Sequence, residues 1–378
     1  RLIRRQRQMC IRDRDYCMKF KTLLCINALA LCVSSCRVSV EETTLETQKL
    51  LSNLQTMSSK GIMFGHHDDT VYGIGWEGDE GRSDVKSVCG DYPAVISFDL
   101  GEIELGQDEN LDKVSFDKIR KEIVNQYERG GMVSLSWHVR NPLTGGDAWD
   151  VSDSTVVRSI LPGGSIHDKF VNWMDYVATF LNSLKDSDGV KVPVLFRPWH
   201  EHTGSWFWWG EKLCSSAEYK QLWRMTVETL QAKGVNNALY AYSSSSNLQD
   251  SCQYLERYPG DDIIDVMGFD AYQGDSLAFA QDMKSSLNVL SEVGKKHNKI
   301  IALTETGYES IPDAKWWTDT LLPLVESVPL SYVLVWRNAR ERPTHYYAPY
   351  PKQVSAENFV EFYNDSRTLF VSNVNLYE

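Results

Sequence analysis

Between positions 197 and 210 the chain reads Arg197-Pro-Trp-His-Glu-His-Thr-Gly-Ser-Trp-Phe-Trp-Trp-Gly210. Arg197, His200, Glu201 and His202 arrive almost together, and Trp206, Trp208 and Trp209 follow. Flat indole rings stack on the faces of pyranose sugars, and a carboxylic acid beside them can protonate a glycosidic oxygen. Hydrolysis with retention needs a second carboxylate, about 5–5.5 Å from the first, to attack the sugar carbon. Thr304-Glu-Thr-Gly307 offers one in Glu305. Desolvation among histidines and tryptophans raises a carboxyl pKa and favours Glu201 as the acid, although spacing alone does not divide the roles. Glu305 needs donors to stay ionised, and Arg197, Tyr272 or Arg337 are available.

Other chemistries fit less well. His66, His67, His138, His200 and His202 invite a metal, yet a metalloprotease helix wants H-E-x-x-H and the last position here is Gly204. His66 and His67 are adjacent, so on a strand only one of them points inward. The run Ser243–Ser246 lacks the G-x-S-x-G elbow of a serine hydrolase. No metal and no cofactor are expected. His138 and His200 are placed instead on sugar hydroxyls or against the carboxylates.

These residues need a scaffold that gathers distant segments. Short apolar runs alternate with longer amphipathic stretches, the grammar of consecutive βα units, hence an α/β fold closed as a (β/α)8 TIM barrel. Strands are expected near 61–65, 94–98, 132–137, 192–197, 238–243, 265–269, 300–304 and 332–336. Helices are expected at 44–58, 116–129, 166–186, 216–233, 276–297 and 314–325. The first strand runs into His66-His-Asp-Asp69, the second into Asp99, the third into Trp137-His138 and the fourth into His200-Glu201. The fifth ends in serines, the sixth in Asp270 and Tyr272, the seventh in Glu305 and the eighth in Trp336-Arg337. Polar and aromatic groups thus concentrate at carboxyl ends, the rim where such barrels carry catalysis.

Length and charge agree with one catalytic domain. The chain has 378 residues, 12 Trp, 18 Tyr and a net charge of −12. Residues 1–35 hold eight Arg or Lys and two Asp, a net +6 that leaves −18 on the remainder. Such an acidic body disfavours nucleic acid and permits a neutral polysaccharide. Residues 1–17 read as foreign upstream sequence. Residues 18–36 have the basic head and short apolar core of a secretory signal, ending at Val33-Ser-Ser-Cys36, a lipobox-like site for a lipid anchor on Cys36. Residues 37–50 are expected as a tether and 51–372 as the catalytic barrel. Export of a monomer to the outer membrane or cell surface of a bacterium is the corresponding expectation. Of eight cysteines only Cys89, Cys214 and Cys252 fall in the barrel, allowing one disulfide at most.

Arg197–Gly210, with Gly65-His-His-Asp-Asp69, Ser136-Trp-His138, Gly268-Phe-Asp-Ala-Tyr272, Thr304–Gly307 and Trp336-Arg337, resembles the family 26 glycoside hydrolases, most of which are β-mannanases. The resemblance implies retaining double displacement without a cofactor, with Glu201 as acid/base and Glu305 as nucleophile. It places His138, His200, Trp206, Asp270, Tyr272, Trp336 and Arg337 around the sugar next to the cleaved bond. Arg197, His66 and Trp149 join that set as further sugar contacts, and Trp208 and Trp209 as further stacking platforms. His67 stands where many members have glutamine. The expected activity is endo-β-1,4-mannanase on mannan, galactomannan or glucomannan. The alternatives are β-1,3-xylan or mixed-linkage β-glucan as substrate, release of mannobiose from chain ends, and glycan binding without catalysis.

Overall fold

The structure, a computed structural model, describes residues 42–274 and 276–378. The signal-like segment, Cys36 and the start of the tether lie outside those residues. The first helix, α1 (Leu45–Met57), is capped by the Thr44 hydroxyl, which accepts from the Thr47 N–H at 3.2 Å. It takes in the end of the stretch assigned to the tether.

Eight parallel strands follow, all within a few residues of expectation: β1 (Ile62–His67), β2 (Val95–Asp99), β3 (Met132–Ser136), β4 (Val194–Arg197), β5 (Ala238–Ser245), β6 (Val266–Gln273), β7 (Ile300–Tyr308) and β8 (Tyr332–Val335). Each pairs with its sequence neighbour, and β8 pairs with β1, so the sheet closes. A two-residue strand, Thr368–Leu369, adds to β1 below the rim. Long crossover helices lie at Phe116–Glu128, His167–Ser183, Ser216–Ala232 and Ser276–His297. Ser215 and Glu218 close a capping box on the third of these. The expected helix at 314–325 is instead a π-turn, Trp316–Leu321, running into a short α-helix, Leu322–Val325, with Pro323 in its first turn. The extra residue per turn lets adjacent Trp316 and Trp317 both be buried. Cys89, Cys214 and Cys252 are free thiols, so none of the possible disulfides among them forms.

The period-two alternation of strands divides the side chains into two cores. Phe64, Ile96, Phe98, Val133 and Leu135 point outward and pack with the helices. Met63, Val95, Met132, Leu195, Leu239, Val266, Ala302 and Leu334 point inward and form one apolar cluster with Leu50, Leu54 and Met57 of α1. The barrel interior is therefore greasy at the amino end of the strands. Two to four residues further along, the inward positions become Asp99, Ser136, Arg197, Ser243 and Asp270, and the polar site begins.

Candidate active site

Arg197 is the inward residue at the end of β4, buried, and reaches three strands at once. Its Nη1 donates to Asp270 Oδ2 at 2.9 Å and to Ser243 Oγ at 3.0 Å, and its Nη2 donates to Glu305 Oε1. A bulge makes this possible. Phe269 opposes Leu303, but Asp270 opposes Glu305, so β7 gains one residue at Thr304. Thr304 and Glu305 then both face the interior: Thr304 Oγ1 donates to Asp270 Oδ1 at 2.6 Å, and Tyr272 OH donates to Glu305 Oε2 at 2.8 Å. Glu305 is thus buried with two donors, a guanidinium N–H and a phenol O–H.

Glu201 sits four residues beyond β4 on a loop that turns through positive φ at Trp199 (59°) and at Glu201 itself (53°). Its N–H donates to Ser243 O at 3.1 Å, and Trp206 Nε1 donates to its Oε2 at 2.6 Å. Burial raises its carboxyl to about 7, with the Glu305 charge adding to the rise and the Trp206 bond, Arg197 and His138 opposing it. Glu201, Asp270 and Glu305 each present an oxygen within 4.8 Å of the others. The two glutamates therefore fall in the close-spaced class of retaining enzymes rather than the wider class that admits a water between them.

The same spacing could hold a cation, as could a second triad, His67, Asp68 and Asp112. In each case an arginine already supplies the positive charge: Arg197 bridges two members of the first, and Arg337 pairs with Asp112 of the second at 3.2 Å.

The expected sugar-site residues divide into those on the cleft and those behind it. Trp149, Trp206 and Tyr272 are exposed by 48%, 43% and 38%, and half-buried Trp336 stacks on His67 with ring centres 4.0 Å apart. Trp149 lies flat against His138 at 5.1 Å and 12°. His138 Nε2 meets His200 Nε2 at 3.1 Å. Arg337 is placed at the same rim, holding Tyr72 OH at 3.2 Å and Glu341 at 2.8 Å.

Five expectations need correction. Trp208 and Trp209 are fully buried, so they are not stacking platforms: Trp208 Nε1 donates to Val139 O at 3.0 Å and Trp209 Nε1 to His200 O at 2.8 Å, which pins the Glu201 loop from beneath. His66 is not at the sugar site. Strand alternation sends His67 inward and His66 outward, where its Nδ1 meets Asp69 at 2.8 Å. Arg197 is committed to carboxylates rather than sugar, and buried Asp270 is committed to Arg197 and Thr304. Of the donors proposed for Glu305, Arg197 and Tyr272 serve and Arg337 does not.

The sequence marks Asp99 only as a strand end, carries Ser136 and Thr304 inside motifs without a role of their own, and does not single out Tyr72. Asp99 and Ser136 were findable by counting in twos from the apolar inward residues Val95 and Met132. Thr304 falls on the same count from Ala302, but Glu305 does not, because the bulge breaks the alternation there.

Comparison with known proteins agrees with this geometry. The family model described as Glycosyl hydrolase family 26 matches residues 40–338. A mannan endo-1,4-β-mannosidase of Bifidobacterium adolescentis is 34% identical over 81% of this chain, and one of Thermothelomyces thermophilus is 30% identical over 72%. The chain spans only 32% and 55% of the lengths of these two relatives. Among solved structures, a family 26 β-mannanase of Bacteroides ovatus superposes with a TM-score of 0.88 at 64% identity, covering 89% of this chain and 98% of that one. A modular endo-β-1,4-mannanase of Cellulomonas fimi gives 0.81 at 35%, over 89% and 78%. With its barrel, its bulge-set carboxylates and four-fifths of its length matched, the chain belongs to glycosyl hydrolase family 26.

Proposed function

We propose that the chain is a retaining endo-β-1,4-mannanase, with Glu305 as nucleophile and Glu201 as acid/base. The observation that carries the division of roles is the asymmetry of donors. Glu305 receives a guanidinium and a phenol, whereas Glu201 receives one indole and is raised to about 7. In the first step Glu305 attacks the anomeric carbon, the glycosidic C–O bond breaks, and Glu201 gives its proton to the departing oxygen. In the second, Glu201, now a carboxylate, takes a proton from water as that water attacks the same carbon, and the glycosyl ester to Glu305 breaks. Trp149, Trp206 and Trp336 line the cleft as stacking surfaces for a β-linked chain. β-Mannan is the substrate read from the relatives' printed activities. A lipid anchor on Cys36 would hold the monomer at an outer membrane or cell surface, and radiolabelled palmitate incorporation lost in Cys36→Ala tests this.

The test of activity is release of reducing sugar from linear mannan, galactomannan, glucomannan, β-1,3-xylan and mixed-linkage glucan. Mixed manno-oligosaccharides are the expected products. Mannobiose alone would mark an end-acting enzyme, and activity only on xylan or glucan would overturn the substrate. Folded protein silent on every polymer would overturn catalysis.

A further inference from the structure

Behind the cleft histidines lies a carboxylate without a role in the steps above. Asp99 ends β2, is fully buried, and is surrounded by donors. Its Oδ1 accepts from Gly101 N–H at 2.6 Å and His138 N–H at 3.2 Å; its Oδ2 accepts from Ser136 Oγ–H at 2.6 Å and faces His138 Nδ1 at 2.7 Å. An ionised carboxylate only accepts, so His138 Nδ1 must carry a hydrogen. The state of the ring is then decided at Nε2, which faces His200 Nε2. Two nitrogens at 3.1 Å hold one hydrogen between them. A charged His138 donates it and forces the His200 hydrogen onto Nδ1, which is buried with no partner among the described residues. A neutral His138 accepts it and leaves that Nδ1 bare. Stranding a buried N–H costs more than stranding a lone pair, so the histidine pair by itself prefers the neutral form.

Asp99 works against that preference. The charged and titratable groups bearing on His138 are Asp99 from β2, His67 from β1, Asp112, the loop residues His200 and Glu201 after β4, and Glu305 from β7. Burial draws the His138 pKa down, but Asp99, through its charge and its hydrogen bond, and then Glu305 and Glu201, outweigh it and hold it above the ordinary value. Burial likewise pushes Asp99 up, and His138 with the other donors holds it below the usual carboxylate range.

We propose that Asp99 is a positioning residue of the glycosidase site, setting through His138 the charge and hydrogen-bond polarity that the His138–His200 pair presents to Glu201 and the sugar. This rests on Glu201 being the acid/base. Asp99 touches neither glutamate; its lever is the imidazole.

Asp99→Asn keeps the shape and removes the charge. His138 then loses its proton at lower pH, and Glu201 loses a neighbouring cation that favours its ionised form. Glu201 keeps its proton to higher pH, so the alkaline limb of kcat/KM moves up by on the order of one pH unit. The value of kcat/KM at its optimum falls roughly 10- to 100-fold, the scale of losing a carboxylate that orients a working histidine. The His138 titration midpoint, read by NMR of 15N-histidine-labelled protein, moves down. In the Asp99→Asn/His138→Gln double variant the loss is no greater than in His138→Gln alone. A folded Asp99→Asn protein with an unmoved His138 midpoint overturns the proposal, and so do losses that multiply in the double variant. Should Asp99→Asn fail to fold, Ser136→Ala removes one donor from Asp99 Oδ2, leaves that oxygen a stronger acceptor, and is expected to raise the His138 midpoint; no change there overturns the proposal equally. If the wild-type protein cleaves no β-glycan, the functional reading fails, while the NMR titration still decides what Asp99 does to His138.

Discussion

Glu201 and Arg197 show how charge is shared among too few partners. Glu201 holds its proton to about 7, so the folded protein binds that proton more tightly than the unfolded chain, where a glutamate titrates near its ordinary 4.5. Its contribution to stability is complete below the ordinary value and is lost as pH rises through about 7. Glu201→Gln, which cannot ionise, should therefore raise the melting temperature relative to wild type at pH 8 and much less at pH 4.5, as calorimetry at the two values would show. The same variant should lose roughly 10²- to 10⁴-fold in kcat/KM on mannan, the contribution of a general acid. A stability gain equal at both pH values would remove the argument for a raised carboxyl. Arg197 behaves oppositely, because its guanidinium is the shared partner of Asp270 and Glu305. Arg197→Met leaves both facing each other without their cation and should cost about 3–5 kcal/mol in urea unfolding at pH 7. The deficit should shrink at pH 4, where carboxyls can be protonated. Arg197→Lys should recover only part of it, since one ammonium lacks the planar fork that reaches three strands.

At the scale of elements, the loop from Pro198 to Gly210 brings Glu201 to the cleft, and its shape is held at both ends of its aromatic run. Trp208 and Trp209 bury their rings beneath it, while Trp206 stays above and donates to Glu201. Gly204 is what lets Trp206 lie there: a Cβ at this position would come within 2.3 Å of the indole. Gly204→Ala should swing Trp206 away and break its bond to Glu201. That bond favours the ionised carboxyl, so its loss should move the alkaline limb of kcat/KM upward, with the melting temperature changed by no more than a few degrees. Backbone course accounts for what the sequence hid in this loop. Tryptophans 206, 208 and 209 are indistinguishable by type and spacing, and only the curl of the backbone sends one to solvent and two to the core. The bulge at Thr304 was hidden for a related reason, since Leu303-Thr-Glu305 carries no glycine or other mark of an inserted residue, and the pairing partner Asp270 lies on another strand.

At the scale of the molecule the barrel was legible because each strand repeats one rule, apolar first and polar at the carboxyl end. All eight strands and both glutamates followed from it. The outward fate of His66 did not, because two adjacent histidines fit either phase of the alternation until a neighbouring strand sets it. The same rule implies that the two ends of the barrel can be perturbed separately. At the amino end, α1 lays Leu50, Leu54 and Met57 against Met63, Val95, Met132, Leu195 and Leu334, and Leu376 joins from the other terminus. Among the described residues no side chain of this cluster hydrogen-bonds to the glutamates, Arg197 or the cleft histidines, and Tyr332 alone bears on Arg197 through charge. Leu54→Ala, at a position 1% exposed, removes packed methyl groups and should cost about 2–5 kcal/mol in unfolding free energy. At a temperature where the variant remains folded, kcat/KM and both limbs of its pH profile should match wild type. The reason is distance in kind as well as in space: the active site is held by ion pairs and hydrogen bonds among strand ends, and the plug by apolar contact among strand beginnings. Unfolding curves and pH profiles measured on the same preparation decide the point. A shifted alkaline limb would mean that packing at the base reaches Glu201 through the strands, and the two layers would have to be treated as one coupled unit.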